Sequence, residues 1–271
     1  MLFVYFTKTL PGLQVGDWVK WCHAYGLDGV DLAVRPGYPV NPDNIFNALP
    51  VWSETLAKAK LRIGLVTAPT NLNDPAQKDA ERFFKACKSA GVSSIKIGYF
   101  PFDQDYPRTY RKARVALEGF ASLARDTGVK ALLHTHSGLY LGNNAAGQRL
   151  LLDGLDPHGV GSFLDTGHLA LGGGPFPLEL QLVKPWFSCL AIKDIEWAKG
   201  GSGWKNQVVP AGMGIVRWDE VGSSLRSSGF DGTISLHGEY SMEGADNRGK
   251  SAAAEKAFLV KKLGIKERLP G

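Results

Sequence analysis

Cysteine is scarce in this chain. The three that occur, Cys22, Cys87 and Cys189, are odd in number, far apart, and form neither a CxxC pair nor a zinc-ribbon spacing. A disulfide framework is thereby excluded. Each lies in an apolar pattern, so buried free thiols are expected, which suits a reducing compartment and a cytoplasmic location. No apolar run approaches the length of a membrane span. Met1 to Tyr5 is apolar but too short for a signal peptide, with no basic leader or cleavage site; a leader trimmed beforehand would leave no trace. Charge of one sign is also lacking: 31 Lys and Arg oppose 26 Asp and Glu, for a net +5. The basic residues are dispersed except from Lys256 to Arg268, where a solvated terminal helix explains them. Neither nucleic acid nor a membrane is therefore an expected partner. No low-complexity linker divides the chain, and no glycine-rich phosphate loop follows its first apolar run, where residues 8–12 read Lys-Thr-Leu-Pro-Gly.

What is present is a regular alternation. The 271 residues, 44% hydrophobic, suit one large α/β domain that folds without a staple. Short apolar runs recur at roughly the 30-residue spacing of a βα unit. The predicted strands are Leu2–Thr7, Gly29–Val34, Arg62–Thr67, Ser94–Tyr99, Ala131–His136, Gly161–Asp165, Cys189–Asp194 and Thr233–Glu239. Helical patterns lie between them at Val15–Tyr25, Asn44–Lys60, Pro75–Ala90, Pro107–Thr127, Asn144–Leu152 and Trp218–Ser228, with Lys250–Leu263 closing the chain. Gly26, Gly91, Gly128 and Gly229 each stand just past a helix and shortly before a strand. Helix, glycine, strand, repeated, is the pattern of parallel βα units. Eight such units predict a single (β/α)8 TIM barrel over residues 1–271, in preference to an open doubly wound sheet. Two stretches break the pattern. Leu169–Pro177 is rich in Gly and Pro and is expected to be a shaped loop. Ile195–Gly214 is expected to be a second long loop, carrying Trp197 and Trp204.

In a barrel, the C-terminal ends of the strands converge on one site. The polar residues at the predicted ends are Asp31 with Arg35 just beyond, Lys96, His134 and His136, Asp165 and His168, Lys193 and Asp194, and His237 with Glu239. Four of the six histidines fall in this set. Residues i and i+2 of a strand share a face, so His134 pairs with His136 and His237 with Glu239, and both pairs are expected to face the barrel interior. Bland alternatives stand beside this for single residues: Asp31 as a loop cap, Lys96 as partner of an interior carboxylate, Asp194 as cap of the next segment. His23, on a helix, and His158, in a loop, are expected at the surface. Imidazole and carboxylate groups suit zinc, manganese, cobalt or iron, with a position left open for substrate in a catalytic site. Such a metal would act as Lewis acid, Glu239 would move a proton at the adjacent carbon, and Lys193 would stabilise the developing oxyanion.

Six segments carry a family resemblance: GLDGVDLAVRPG (26–37), HTHSGLYLG (134–142), LDTGHLALGG (164–173), IKDIEW (192–197), VPAGMGIVRWDEV (209–221) and GFDGTISLHGEYS (229–241). In this order they resemble the xylose-isomerase-like barrels, the sugar phosphate isomerase/epimerase family related to endonuclease IV. The resemblance implies a sugar isomerase or epimerase that transfers a proton next to a carbonyl, with a divalent metal (manganese, zinc, cobalt or magnesium). It also implies metal ligands Glu, Asp, His and Glu on the fifth to eighth strands. Asp165 matches that pattern directly, and His168 matches the His three residues later. His134 stands where Glu is usual, Ala191 where His is usual, and His237 at or near the last Glu. Three arrangements stay open: a metal held by His134, Asp165 and His237, with or without Glu239; metal-free chemistry with histidines as acid and base; or a barrel that binds a sugar without turning it over. A lyase or hydrolase acting on a keto-sugar or modified glycoside is the alternative reaction, and an endonuclease is the least favoured. For the enzyme readings His136 and Lys193 join Glu239 as catalytic candidates. Asp31, Arg35, Lys96, His168, Asp194 and Trp197 are the substrate contacts, with Arg35 and Lys96 suited to a phosphate or carboxylate and Trp197 and Trp204 to stacking on a sugar. The partner expected is a small-molecule sugar; a homo-oligomer is compatible with the sequence.

Overall fold

A computed structural model describes residues 1–201 and 203–264. The basic end beyond Gly264 and the last part of the 1–271 domain lie outside the described residues. Eight strands, β1 (Leu2–Phe6), β2 (Gly29–Ala33), β3 (Arg62–Thr67), β4 (Ser94–Lys96), β5 (Lys130–His134), β6 (Val160–Asp165), β7 (Phe187–Ile192) and β8 (Thr233–Leu236), close into one parallel barrel. Neighbours in sequence are neighbours in space, and β1 closes the ring against β8 with Tyr5 opposite Leu236. All eight predicted strands are found. The fourth, fifth, seventh and eighth end two or three residues earlier than predicted, so His136, Lys193, His237 and Glu239 stand on the first residues of loops.

The helices α1 (Val15–Tyr25), α2 (Ile45–Lys58), α3 (Lys78–Ser89), α4 (Tyr106–Thr127), α5 (Ala145–Leu152), α6 (Thr166–Gly172), α7 (Phe176–Val183), α8 (Trp218–Ser228) and α9 (Ala245–Leu263) follow the apolar periodicity. Helix α1 ends at Gly26, whose φ of 67° is the left-handed turn that a side chain disfavours. Asp105 caps α4 by accepting from the Arg108 N–H at 2.9 Å, with Pro107 in the first turn.

Two expectations fail, each for a local reason. Leu169–Pro177 is not a shaped loop. The Asp165 carboxylate accepts from the His168 N–H at 3.0 Å and starts α6 within the motif, and the glycines supply only the turn to α7. Nor is Ile195–Gly214 a loop throughout: past the hairpin, only 210–214 are. Asp194–Gly200 pairs antiparallel with Gly203–Val209 as a hairpin arm beyond β7.

The barrel interior is filled by Val4, Leu65, Leu132, Phe163, Cys189 and Ala191. A larger apolar layer, with Ile95, Ile97, Leu133, Leu164, Leu190 and Leu236, packs between strands and helices. The three cysteines are free and buried, as expected. Burying these side chains drives folding at roughly 25 cal/mol per Å² of apolar surface. It also fixes strand register, because a slip of one residue would turn the inner set outward.

Candidate active site

Alternation now places the polar residues. Leu132 is interior, so His134 is interior too; Phe163 brings Asp165, Ala191 brings Lys193, and Leu65 brings Thr67. These side chains, with Asp31, Lys96 and His237, are all buried at the mouth of the barrel.

Three of them form its centre. One donor atom from each of His134, Asp165 and His237 lies within 4.8 Å of the others. His134 Nε2 is 3.6 Å from Asp165 Oδ2, and the His134 and His237 rings lie roughly parallel, 5.7 Å apart. His134 Nε2, Asp165 Oδ2 and both nitrogens of His237 are buried without a hydrogen bond. A buried polar atom without a partner costs roughly 1–3 kcal/mol, so four together in one place mark a ligand position. Burial pushes the His134 imidazole well below its ordinary pKa, although Asp165 pulls the other way. Burial alone would raise the Asp165 carboxyl; Lys193, His168 and His134 hold it well below the usual carboxylate range. A neutral His134 and an ionised Asp165 are in the protonation states a divalent metal takes. The donor set therefore fits such a metal, with three protein ligands.

A second group adjoins it. Lys193 Nζ donates to Glu239 Oε2 at 2.7 Å, stands 3.6 Å from Asp165 Oδ2, and lies 3.3 Å from His168 Nε2. Burial works against the ammonium, but Asp165 and Glu239 raise its pKa. Glu239 is also paired with Lys8, and despite burial these cations and His237 hold its carboxyl down. His168 is fixed by Ser137, whose hydroxyl lies 2.8 Å from Nδ1, and its ring is 4.1 Å from that of His136. Tyr99 completes the wall: its hydroxyl is 3.2 Å from His134 Nδ1, and its ring lies 4.9 Å from that of His136.

Of the predicted residues, Asp31, Arg35, Lys96, His134, His136, Asp165, His168, Lys193, His237 and Glu239 come together at this mouth. Asp31 is no loop cap. It accepts from Thr67 at 2.6 Å and Ser235 at 2.8 Å, 3.5 Å from His237 Nε2. Two residues are not brought in. Asp194 spends both oxygens on five donors, three of them in the loop that follows the hairpin, with the Ile195 N–H and the Trp218 indole, so it anchors that loop and does not turn to a substrate. Trp197 stands on the hairpin arm, 47% exposed. Tyr99, Lys8 and Ser137 were missed. Tyr99 ends the fourth predicted strand and Lys8 follows the first, so both were within reach of the strand-end argument; Ser137 lies in a loop and gave no signal.

Residues 19–262 match the family described as Xylose isomerase-like TIM barrel. This chain belongs to that family. No curated protein matches it. Among solved structures, this family member is similar to the IolI protein with a binding zinc atom (17% identity, 98% of this chain and 100% of that one, TM-score 0.80). It is similar to D-psicose 3-epimerase with D-tagatose from Clostridium cellulolyticum H10 (15%, 97% and 99%, 0.76). A third similar structure is the probable 3-DHS dehydratase AsbF involved in petrobactin synthesis from Bacillus anthracis (18%, 96% and 99%, 0.73). At these identities the likeness shows the fold. At the position where the sequence resemblance implies a histidine, Ala191 lies level with Asp165, wholly buried, and offers no donor. Among the described residues no helix is long and apolar enough to cross a membrane.

Proposed function

We propose that this protein is a sugar isomerase or epimerase that transfers a proton next to a carbonyl, with a divalent metal held by His134, Asp165 and His237. The observation that carries this reading is the convergence of unpaired buried donor atoms from these three residues, beside the Lys193–Glu239 couple. The zinc atom in the IolI structure and the D-tagatose in the epimerase structure support it by analogy of fold. A bound metal would supply Lewis-acid polarisation of the sugar oxygens.

The chain's own residues do the rest. Glu239, an anion at the mouth, takes the proton from the carbon beside the carbonyl. In the free site Lys193 and Lys8 hold that carboxylate too weakly basic for the task. Lys193 moves its hydrogen bond from Glu239 to the substrate oxygen as charge develops there, which steadies that oxygen and raises the basicity of Glu239 at the same moment. His136, kept neutral by burial, accepts that proton from Glu239 and passes it back to the carbon, ending neutral again. Tyr99 and His168 exclude water from one side.

The test is incubation of a ketose and keto-sugar panel in deuterated water, read by NMR for exchange of a carbon-bound proton, with metal content measured on the same preparation. Exchange is expected from the wild type and not from Glu239→Gln, and Asp165→Asn should lose the metal. No exchange across the panel sinks the reaction, and loss of a fragment instead of exchange makes the protein a lyase or hydrolase. One observation favours a second reading without metal. The Lys193 ammonium stands 3.6 Å from the same Asp165 oxygen that a metal would use. Turnover by metal-free protein would establish that reading.

A further inference from the structure

Two basic side chains at the barrel mouth, Arg35 and Lys96, form no ion pair among the described residues, although Asp31 and Glu239 act on both through space. Lys193 and Lys8 share Glu239, and Asp165 answers Lys193. Asp31 accepts from Thr67 and Ser235 and stands against His237. Among the described residues no carboxylate forms an ion pair with Arg35 or Lys96. Lys96 is 2% exposed, and its Nζ rests only on the face of Tyr99, 3.7 Å from the ring centre. Arg35 uses Nη1 on the carbonyls of Val34 and Thr67, at 2.9 and 3.0 Å, which fixes the guanidinium and leaves its other nitrogens free. Both residues flank Thr67: Lys96 pairs with it across β3–β4, and Arg35 reaches its carbonyl from the end of β2. They therefore occupy one wall of the mouth, across the barrel from the Lys193–Glu239 couple on the β7 and β8 side.

We infer that the substrate is a sugar acid whose carboxylate is bound by Arg35 and Lys96. This rests on the proposed reaction for which atoms react, but not for the binding itself. A buried ammonium without a partner is costly, and a ligand carboxylate would complete it with charge-assisted hydrogen bonds, two of them available from the guanidinium fork. Burial and the neighbouring Arg35 lower the pKa of Lys96 in the empty site, which a bound anion would reverse. Phosphate fits less well. Its sites are built from free backbone N–H groups at loops and helix starts. Here those of Val34, Ala68, Ile97, Gly98 and Tyr99 are already donated to carbonyls. One lysine and one arginine side chain suit a single negative charge.

The experiment compares three ligands that differ only at the sixth carbon: D-fructose, D-fructuronate and D-fructose 6-phosphate, with calorimetric titration of the full-length protein as purified. D-fructuronate is expected to bind about tenfold or more tightly than D-fructose, and tighter than the phosphate ester. Lys96→Met and Arg35→Met should each remove most of that preference. Equal binding of D-fructuronate and D-fructose, tighter binding of the phosphate ester, no binding of any of the three at millimolar concentration, or a preference that survives both substitutions overturns the inference. If Lys96→Met fails to fold, Arg35→Met and the wild-type comparison still decide. D-Fructuronate that binds without exchanging a carbon-bound proton sinks the proposed reaction and leaves this inference standing.

Discussion

Replacing Asp194 by Asn changes one atom and should unfold much of the active-site rim. Asp194 Oδ1 accepts from the N–H groups of Ile195 at 2.9 Å and Val216 at 3.1 Å. Its Oδ2 accepts from Gly212 at 2.9 Å, Gly214 at 3.1 Å and the Trp218 indole at 2.9 Å. The loop closes so tightly on the carboxylate that a Cβ on Gly214 would collide with it. All five partners are donors, and an Asn amide has one acceptor oxygen. In its better orientation that oxygen keeps the three donors of Oδ2, and the NH2 group faces two N–H groups. Each buried donor left without an acceptor costs about 1–3 kcal/mol, so the two stranded by Asp194→Asn should cost about 2–6 kcal/mol. At this chain length that lowers Tm by about ten degrees. Asp194→Ala strands all five donors and should cost more, up to the limit set by local opening of the hairpin. Urea unfolding gives the stability, and hydrogen exchange at Gly212, Gly214 and Val216 shows where it is lost. An Asp194→Asn protein within about 1 kcal/mol of wild type would refute the argument that acceptor count, and not shape, holds this loop.

Three more outcomes follow from the geometry. Burial lowers the His168 pKa from 6.5 to about 4. The unfolded state therefore takes up a proton first, and stability present above pH 6.5 should fall by about 3 kcal/mol as pH drops from there to about 4; denaturant titrations of wild type and His168→Gln at several pH values check this, the variant showing a flatter slope. Burial raises Glu255 from 4.5 to about 7, so the folded state holds its proton longer and stability falls as pH rises from 4.5 to 7. Glu255→Gln should be about 1–3 kcal/mol more stable at pH 8 than wild type and nearly equal to it at pH 4, by thermal melts at both. Trp197 and Trp204 are 47% and 64% exposed on the arm, so substituting either by Ala should change stability by less than about 0.5 kcal/mol. A larger loss in urea unfolding would mean that the arm packs on something in solution.

The barrel was legible because each of its units repeats the same local statement. Apolar runs such as Ala131–His134 and Val160–Asp165 have few other ways to bury themselves, and glycines such as Gly26 mark where helices stop. The two misjudged stretches share a cause: composition was weighed over pairing. In Leu169–Pro177 three consecutive glycines outweighed a capping carboxylate that lies before the segment, at Asp165. In Ile195–Gly214 the glycines hid the antiparallel pairing of Asp194–Gly200 with Gly203–Val209. The site was legible to the extent that strand ends are. Asp194 was misassigned because the strand-end rule names positions and not directions. Its backbone leaves β7 at the mouth, but the carboxylate is consumed by donors 18 to 24 residues later in the chain. No local pattern announces that.

The altered metal pattern and the unpaired cations bear on one another. Where the family resemblance places a histidine, Ala191 leaves three protein donors around the centre, with the Lys193 ammonium 3.6 Å from Asp165 Oδ2 and the Asp31 carboxylate 3.5 Å from His237 Nε2. A substrate that brought only neutral hydroxyls would meet a metal of reduced hold and an ammonium already satisfied by Glu239. A substrate that brings a carboxylate changes that balance. It neutralises Lys96 and Arg35 on the β2–β4 wall, and with that wall neutral the mouth carries less positive charge against a divalent ion. On the proposed function, Ala191 on one side of the barrel and the Lys96–Arg35 pair on the other would be parts of one arrangement, in which an anionic ligand and the metal would strengthen each other's binding by the same factor.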